Sequence, residues 1–107
     1  MLQNLHNFFP FAKYEISGKS MYPTLKPGSM VLVSKIPYFF NSPKTRDLIA
    51  VKDPRNGKVL IKRISKIERD KFFVIGDNKN YSTDSRTFGS ITINDIIGKV
   101  VYESKKT

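Results

Sequence analysis

The sequence predicts a mostly β fold, a single small domain of antiparallel strands rolled into a barrel-like or sandwich form. A chain of 107 residues suits one domain that can bury a core without metals or cross-links. Its apolar runs are short, rich in Val, Ile and Phe, and separated by turn residues, which is typical of strands rather than helices. Several short strands in so small a chain cover their apolar faces by packing as a barrel or a sandwich.

Six strands are predicted in chain order, and helix is expected only in short pieces. Pro27-Gly28 separates the first two strands, and the turn residues of segment 53–57 indicate a hairpin between the third and the fourth. Segment 77–90 is polar and has no period, so we expect a long ordered loop there. The predicted strands are 13–18, 29–36, 46–52, 58–67, 71–76 and 97–102. The predicted core comprises Ile16, Val31, Val33, Leu48, Ala50, Val59, Ile61, Phe72, Val74, Ile97 and Val100.

Composition limits the classes of partner and of chemistry. Nineteen basic residues against nine acidic ones give a net charge of +10, which suits an anionic membrane surface or nucleic acid, or simply a solvated basic surface. The absence of cysteine excludes disulfides, thiolate metal sites and a cysteine nucleophile. With His6 as the single histidine, neither a metal site nor a histidine-based triad is expected, and no cofactor is called for.

The amino-terminal residues 1–12 form an apolar segment that is interrupted by polar residues and a proline. No stretch of the sequence approaches the ~20 apolar residues that span a bilayer. We therefore expect a peripheral segment, followed by one β domain over 13–102. The segment could lie at a membrane interface or pack under the domain.

A serine and a lysine are the candidate reactive residues. Ser20 lies where a predicted strand ends and a proline-containing turn begins, although a serine in a turn is commonly only a turn residue. Lys62 lies inside an apolar strand and shares a face with Leu60 and Ile64. If that face is buried, desolvation lowers the pKa of the amine, and a neutral lysine can accept a proton from a serine hydroxyl. The alternative is a strand lysine whose stem covers apolar surface while its amine reaches water.

Further polar residues cluster in segment 76–86. Asp84 and Arg86 can form a charge-assisted pair that fixes the loop backbone, and Ser82 can donate or accept a hydrogen bond. A plain Gly-Asp-Asn turn would have a similar sequence, so this segment indicates a functional site only when it is considered together with Ser20 and Lys62.

Together the three stretches resemble the signal peptidase I family of serine peptidases. Ser20 to Leu25 match the family's Ser-Met-x-Pro-Thr-Leu box, and Lys62-Arg63 match its lysine box. The segment from Gly76 to Arg86 matches Gly-Asp-Asn-x-x-x-Ser-x-Asp-Ser-Arg at all fixed positions. The order of the boxes agrees as well, and the resemblance covers most of the chain.

The resemblance implies a serine endopeptidase that needs no cofactor or metal and cuts a leader peptide from a precursor protein. It makes Ser20 the nucleophile, Lys62 the general base and Ser82 the hydroxyl that orients the amine. Asp84 and Arg86 become the supporting pair. The backbone N–H of Ser20 would hold the oxyanion, beside Gly18, where some members of the family have a serine. The resemblance also implies an extended substrate between segments 14–18 and 58–62, with a shallow apolar pocket for a small residue before the cut. Its oxyanion and substrate-binding residues would be Gly18, Met21, Pro23 and Ile61.

Two features depart from the family pattern and leave the substrate open. Typical members carry a transmembrane anchor before the serine box and an additional β region between the lysine box and the last box, so this chain is expected to be a catalytic core alone. In lacking these two regions the chain is similar to the small maturation proteases of nickel-type superoxide dismutase, and this maturation role is the narrower alternative. The chain would be associated with a membrane peripherally, or else be cytoplasmic.

Two rivals belong to other classes. A self-cleaving repressor domain uses a similar serine–lysine pair, but the sequence lacks a helix-turn-helix and an internal cleavage site. A basic nucleic-acid-binding β-barrel would account for the charge and for the aromatic residues Tyr38, Phe39, Phe40, Phe72 and Phe73, which also suit a core or a membrane-facing rim. That alternative leaves the three boxes unexplained, so no nucleic-acid partner is expected.

Overall fold

The computed structural model describes residues 10–104, which form a mostly β domain with short helical turns. The strands are β1 (Phe11–Glu15), β2 (Met30–Ser34), β3 (Leu48–Lys52), β4 (Val59–Glu68), β5 (Lys71–Ile75) and β6 (Ile96–Ser104). The helical turns are α1 (Pro37–Phe40), α2 (Ser85–Phe88) and the 3-10 turns Lys79–Tyr81 and Ile93–Asp95. The mostly β class is therefore confirmed.

The strands form one antiparallel sheet in the order β1-β2-β6-β3-β4-β5. The hairpin predicted at segment 53–57 joins β3 to β4, where Lys52 pairs with Val59. The last strand inserts between β2 and β3, so the middle of the sheet is made of strands distant in sequence. Gly98 permits this insertion, because a Cβ there would lie only 2.8 Å from the Ser34 carbonyl oxygen.

The sheet is rolled but not closed. Within residues 10–104, β1 pairs only with β2, and β5 pairs with β4 and forms one further bridge, between Phe72 and Ile91. Neither a closed barrel nor a second sheet forms. Tyr14 of β1 and Val59 of β4 nevertheless line the same cavity, although three strands separate β1 from β4 in the sheet. The predicted fold class is therefore confirmed, and the barrel-like form is a single curled sheet of six antiparallel strands with an open seam.

The core lies on both faces of the curled sheet. Strand β3 shows this directly, since Ala50 belongs to one buried cluster while Ile49 and Val51 belong to the other. The first cluster contains Ile16, Met21, Leu25, Val31, Val33 and Ala50. The second contains Ile49, Val51, Ile64, Phe72, Val74 and Ile91.

Most predicted core residues lie in or against these clusters, with one error. Leu48, Ile61, Ile97 and Val100 are half-buried against the first cluster. Val59 is wrong, because it is 39% exposed at the first position of β4, next to the hairpin turn. The predicted first strand also starts too late, since β1 begins at Phe11.

Segment 77–90 is ordered, as expected, but it is more than an irregular loop. It contains the 3-10 turn Lys79–Tyr81 and the helix α2. The Asp84 side chain caps α2 by accepting the Arg86 backbone N–H, and Gly89 ends the helix at a φ of 84°. Residues 1–9, which make up most of the predicted amino-terminal segment, lie outside the described residues. Among residues 10–104, no helix has the length and apolar character needed to cross a bilayer.

Candidate active site

Ser20 lies on an excursion of the chain between β1 and β2. Two backbone hydrogen bonds of 2.8 Å between Ile16 and the segment Gly28–Ser29 close the base of this excursion. Its two buried apolar side chains, Met21 and Leu25, are each only 2% exposed, so they anchor it in the first core cluster. This anchoring fixes the backbone on which Ser20 is carried.

The excursion is also tied to the segment that follows β5. The Asn78 N–H donates to the Ser20 carbonyl at 2.8 Å, and the Asp77 N–H donates to the Met21 sulfur at 3.3 Å. Gly76 makes the approach possible, because a Cβ there would lie 2.6 Å from the Ser20 carbonyl oxygen and would collide with Ser82 Oγ. The serine box and the last box are therefore in direct contact.

Lys62 lies on β4 opposite Ile49, with its side chain on the buried face of the strand, as its spacing to Ile64 predicted. The residue is 3% exposed, and its Nζ donates to Ser82 Oγ at 3.1 Å. Burial lowers the pKa of the amine; Asp84 raises it and Arg86 lowers it by smaller amounts. This is the electrostatic setting that a lysine general base needs.

Ser82 links the lysine to a buried carboxylate. Its hydroxyl donates to Asp84 Oδ2 at 2.6 Å, so its oxygen is available to accept from Lys62 Nζ. Asp84 is fully buried and also accepts from the Gly76 N–H at 3.0 Å and from Arg86 Nε at 2.9 Å. Burial by itself would raise the pKa of Asp84, but the hydrogen bonds from Arg86, Ser82 and Gly76 hold it well below its usual range. The predicted Asp84–Arg86 pair is therefore present.

A cavity of about 120 Å³ lies between the end of β1 and the start of β4, and Ser20 and Lys62 both line it. We call it the seam cavity. Met21 and Ile61 line it too, whereas Gly18 and Pro23 are not among its lining residues. The full lining is Tyr14, Glu15, Ile16, Ser17, Ser20, Met21, Val59, Leu60, Ile61 and Lys62.

One cluster at the site has a role that the sequence did not indicate. Arg63 donates to both oxygens of Asp77 at 2.8 Å, and Thr24 Oγ1 donates to the same carboxylate at 2.5 Å. The Arg63 hydrogen bonds are the main reason that the pKa of Asp77 is lowered. This clamp joins the three boxes, because Thr24 belongs to the serine box, Arg63 to the lysine box and Asp77 to the last box. Their membership of the boxes was the only available signal.

The family profile described as signal peptidase, peptidase S26, matches residues 2–65 and 65–103. The chain is 28% identical to signal peptidase I V of Bacillus subtilis, and the match covers 84% of this chain and 83% of that protein. It is 31% identical to the mitochondrial ATP-independent inner membrane protease subunit 1b of Arabidopsis thaliana, over 90% of this chain and 70% of that protein.

A longer relative is thylakoidal processing peptidase 1 of Arabidopsis thaliana, which is 28% identical over 81% of this chain and 40% of that protein. The chain therefore spans less than half of this relative. The family profile covers nearly all of the chain, and relatives from bacteria, chloroplasts and mitochondria agree with it. The chain belongs to the signal peptidase family, peptidase S26, and is a serine peptidase of the signal peptidase type.

Proposed function

We propose that this chain removes an N-terminal signal or leader peptide from a precursor protein, with Ser20 as the nucleophile and Lys62 as the general base. The observation that carries the proposal is a buried lysine amine of lowered pKa, held by Ser82, in the cavity that Ser20 also lines. Within the described residues, Ser82 is the hydrogen-bond partner of the amine, and the Ser20 hydroxyl makes no hydrogen bond. A nucleophile and its base are often farther apart without substrate than in the reacting complex.

The proposed reaction has two stages. In the first, neutral Lys62 takes the Ser20 Oγ proton as the oxygen attacks the scissile carbonyl, and the tetrahedral oxyanion accepts a hydrogen bond from the Ser20 N–H. The protonated lysine then donates its proton to the leaving amine, which leaves an ester on Ser20. In the second stage, Lys62 deprotonates a water that attacks the ester, and the returned proton restores the serine hydroxyl.

The open seam of the sheet suits an extended peptide. Among residues 10–104, β1 has no strand partner on the side away from β2, and β5 pairs with β4 only from Arg63 onward. The edge of β4 from Val59 to Lys62 is therefore also free on one side. Both free edges line the seam cavity, so one extended chain can hydrogen-bond to both. A cavity of about 120 Å³ favours a small side chain before the cut.

We also propose that the chain divides into an amino-terminal segment, residues 1–12, and a peptidase domain, residues 13–102. Peripheral association with an anionic membrane is also proposed, on the net charge of +10. Maturation of nickel-type superoxide dismutase remains a prediction, which the relatives named above do not favour. Those relatives give no support to a nucleic-acid-binding protein.

The test is cleavage of purified precursors by the full chain. A secretory preprotein and a metalloenzyme precursor are each incubated with the protein, with and without anionic liposomes. We expect the preprotein to be cut once at its leader, and faster with liposomes. Cleavage of the metalloenzyme precursor alone would contradict the general role and favour the narrower one.

The reactive pair is tested with three variants. Ser20→Ala and Lys62→Ala should each abolish cleavage, because one removes the nucleophile and the other its base. Lys66→Ala is the matched control, since Lys66 lies on the same strand with its side chain 58% exposed. We expect the control to cleave at the wild-type rate. Undiminished cleavage by either Ser20→Ala or Lys62→Ala would refute the assignment.

A further inference from the structure

A second and larger cavity lies next to the seam cavity. It has a volume of about 320 Å³ and lies between the start of β1, the β3–β4 hairpin and the start of β6. Tyr14 and Val59 line both cavities, so the two cavities are adjacent. We call this second cavity the upstream cavity.

The position of the upstream cavity relates it to a definite part of a bound peptide. Val59 is three residues before Lys62 on β4, which corresponds to about 10 Å at the rise of a strand. An extended peptide whose scissile carbonyl lies at Ser20 would therefore reach the cavity about three residues away from the cut. Peptide residues at about the fourth to sixth positions would lie along it.

The walls of the upstream cavity favour an apolar, uncharged side chain. Phe11, Val33, Val59, Ile96 and Ile97 contribute apolar surface. Lys35 and Lys52 also line the cavity, which disfavours a positively charged occupant. In a secretory precursor the apolar stretch precedes the small residues at the cut, whereas no such stretch is required after it. The chemistry of the walls therefore matches the leader side of the substrate.

We propose that the upstream cavity binds an apolar leader side chain four to six residues before the scissile bond, and that this contact adds specificity beyond the small residue at the cut. The inference rests on the proposed leader-peptide cleavage and extends it to a second recognition element. The precursor is the expected occupant, because the upstream cavity shares Tyr14 and Val59 with the seam cavity, which Ser20 and Lys62 line.

The first test measures binding to the full chain carrying Ser20→Ala, so that no cleavage occurs. Fluorescent peptides share alanine at the small positions and carry either leucine or serine at the fourth, fifth or sixth position before the cut. We expect leucine to bind about tenfold more tightly than serine at one of these positions, since burial of a leucine side chain is favourable. Equal binding at all three positions would overturn the proposal.

The second test fills the cavity. Ala12 lines the upstream cavity but not the seam cavity, so Ala12→Phe should reduce the preference for leucine to less than twofold. The control is Lys13→Phe, because Lys13 lies on the same strand but lines a different surface and neither of the two cavities. The ratio of leucine to serine binding is compared within each variant, so a general loss of affinity cancels. An undiminished ratio in Ala12→Phe, or an equal reduction in Lys13→Phe, would refute the assignment.

The outcomes separate this proposal from the proposed function. If the active chain cut none of these peptides but the leucine preference held, the catalytic assignment would fail and the upstream cavity would stand. Occupation of the cavity by another segment of the chain or by a second copy would make leucine and serine peptides bind equally. That result would overturn the upstream cavity while Ser20-dependent cleavage remained intact.

Discussion

Replacing Ser82 by alanine tests whether this hydroxyl holds the lysine for catalysis. The change removes the acceptor 3.1 Å from Lys62 Nζ and the donor 2.6 Å from Asp84 Oδ2. A hydrogen bond to a charged group contributes about 1.5–3 kcal/mol to folding. Asp84 keeps its bonds from Gly76 and Arg86, so we expect a loss near the lower end of that range, about 1.5–2 kcal/mol.

The effect on catalysis should exceed the effect on folding. Without the acceptor, the amine is no longer held in one orientation, and positioned general-base catalysis is worth about 10²–10⁴-fold. We expect kcat to fall about 10²-fold, with KM nearly unchanged because Ser82 does not line the seam cavity. Ser82→Thr retains the hydroxyl and should recover most of the rate. The assay is steady-state cleavage of a leader peptide, with urea unfolding of each variant measured in parallel.

Ser85→Ala is the matched control for this prediction. Ser85 lies in the same segment, and its Oγ accepts the Val74 N–H at 2.8 Å, away from the lysine. Its loss should cost about 1 kcal/mol of stability and leave kcat within about twofold. A folded Ser82→Ala protein with kcat within threefold of wild type would refute the orienting role. Equal kcat losses in the two variants would show that the effect is only structural.

Three further predictions concern the surroundings of the site. Because burial lowers the pKa of Lys62, the cleavage rate should rise with pH at a midpoint below that of free lysine, and a rate that rises only where free lysine titrates would contradict this. Burial also disfavours the charged amine, so Lys62→Met should raise the free energy of unfolding at pH 7, and the gain should shrink as the pH increases. Asp77→Asn should lower the free energy of unfolding in urea by about 1–2 kcal/mol at pH 7, because the ion pair between Arg63 and Asp77 is weakened. The difference in stability between variant and wild type should vanish as the pH falls through the lowered pKa of the Asp77 carboxyl, and a difference that does not depend on pH would argue against the ion pair. Gly76→Ala should lower the free energy of unfolding by about 1–3 kcal/mol and remove most of kcat, because the added Cβ collides with the site. Gly98 is similarly crowded but lies elsewhere in the sheet, so Gly98→Ala should lower only the stability measured by unfolding. Retained kcat in Gly76→Ala would contradict the close contact.

The strands could be predicted from the sequence because short apolar runs and turn residues are local features. The order of the strands could not, since the insertion of β6 between β2 and β3 depends on contacts between distant residues. Because side chains alternate along a strand, the sequence predicted only one face of β3 in the core. Ile49, Ala50 and Val51 are all buried because the curled sheet has a cluster on each face.

The site was predicted unevenly for a similar reason. Burial of Lys62 follows from its place in an apolar strand, which is local. Met21 and Leu25 were missed as core residues because they lie on a turn, where no strand period applies. The clamp of Arg63, Asp77 and Thr24 joins residues up to 53 positions apart, and no spacing within the chain indicates such a meeting.

The free edges of β1 and β4 can bond only to a chain whose own amide and carbonyl groups are unsatisfied. A cleavage site already folded into a helix or a sheet offers no such groups, so it would not bind to these edges, whichever side chains it carries. Under the proposed binding mode, the seam would accept only extended segments, and a precursor would be cut only while the linker after its leader remains unfolded. A mature domain, once folded, would be protected by its own backbone hydrogen bonds.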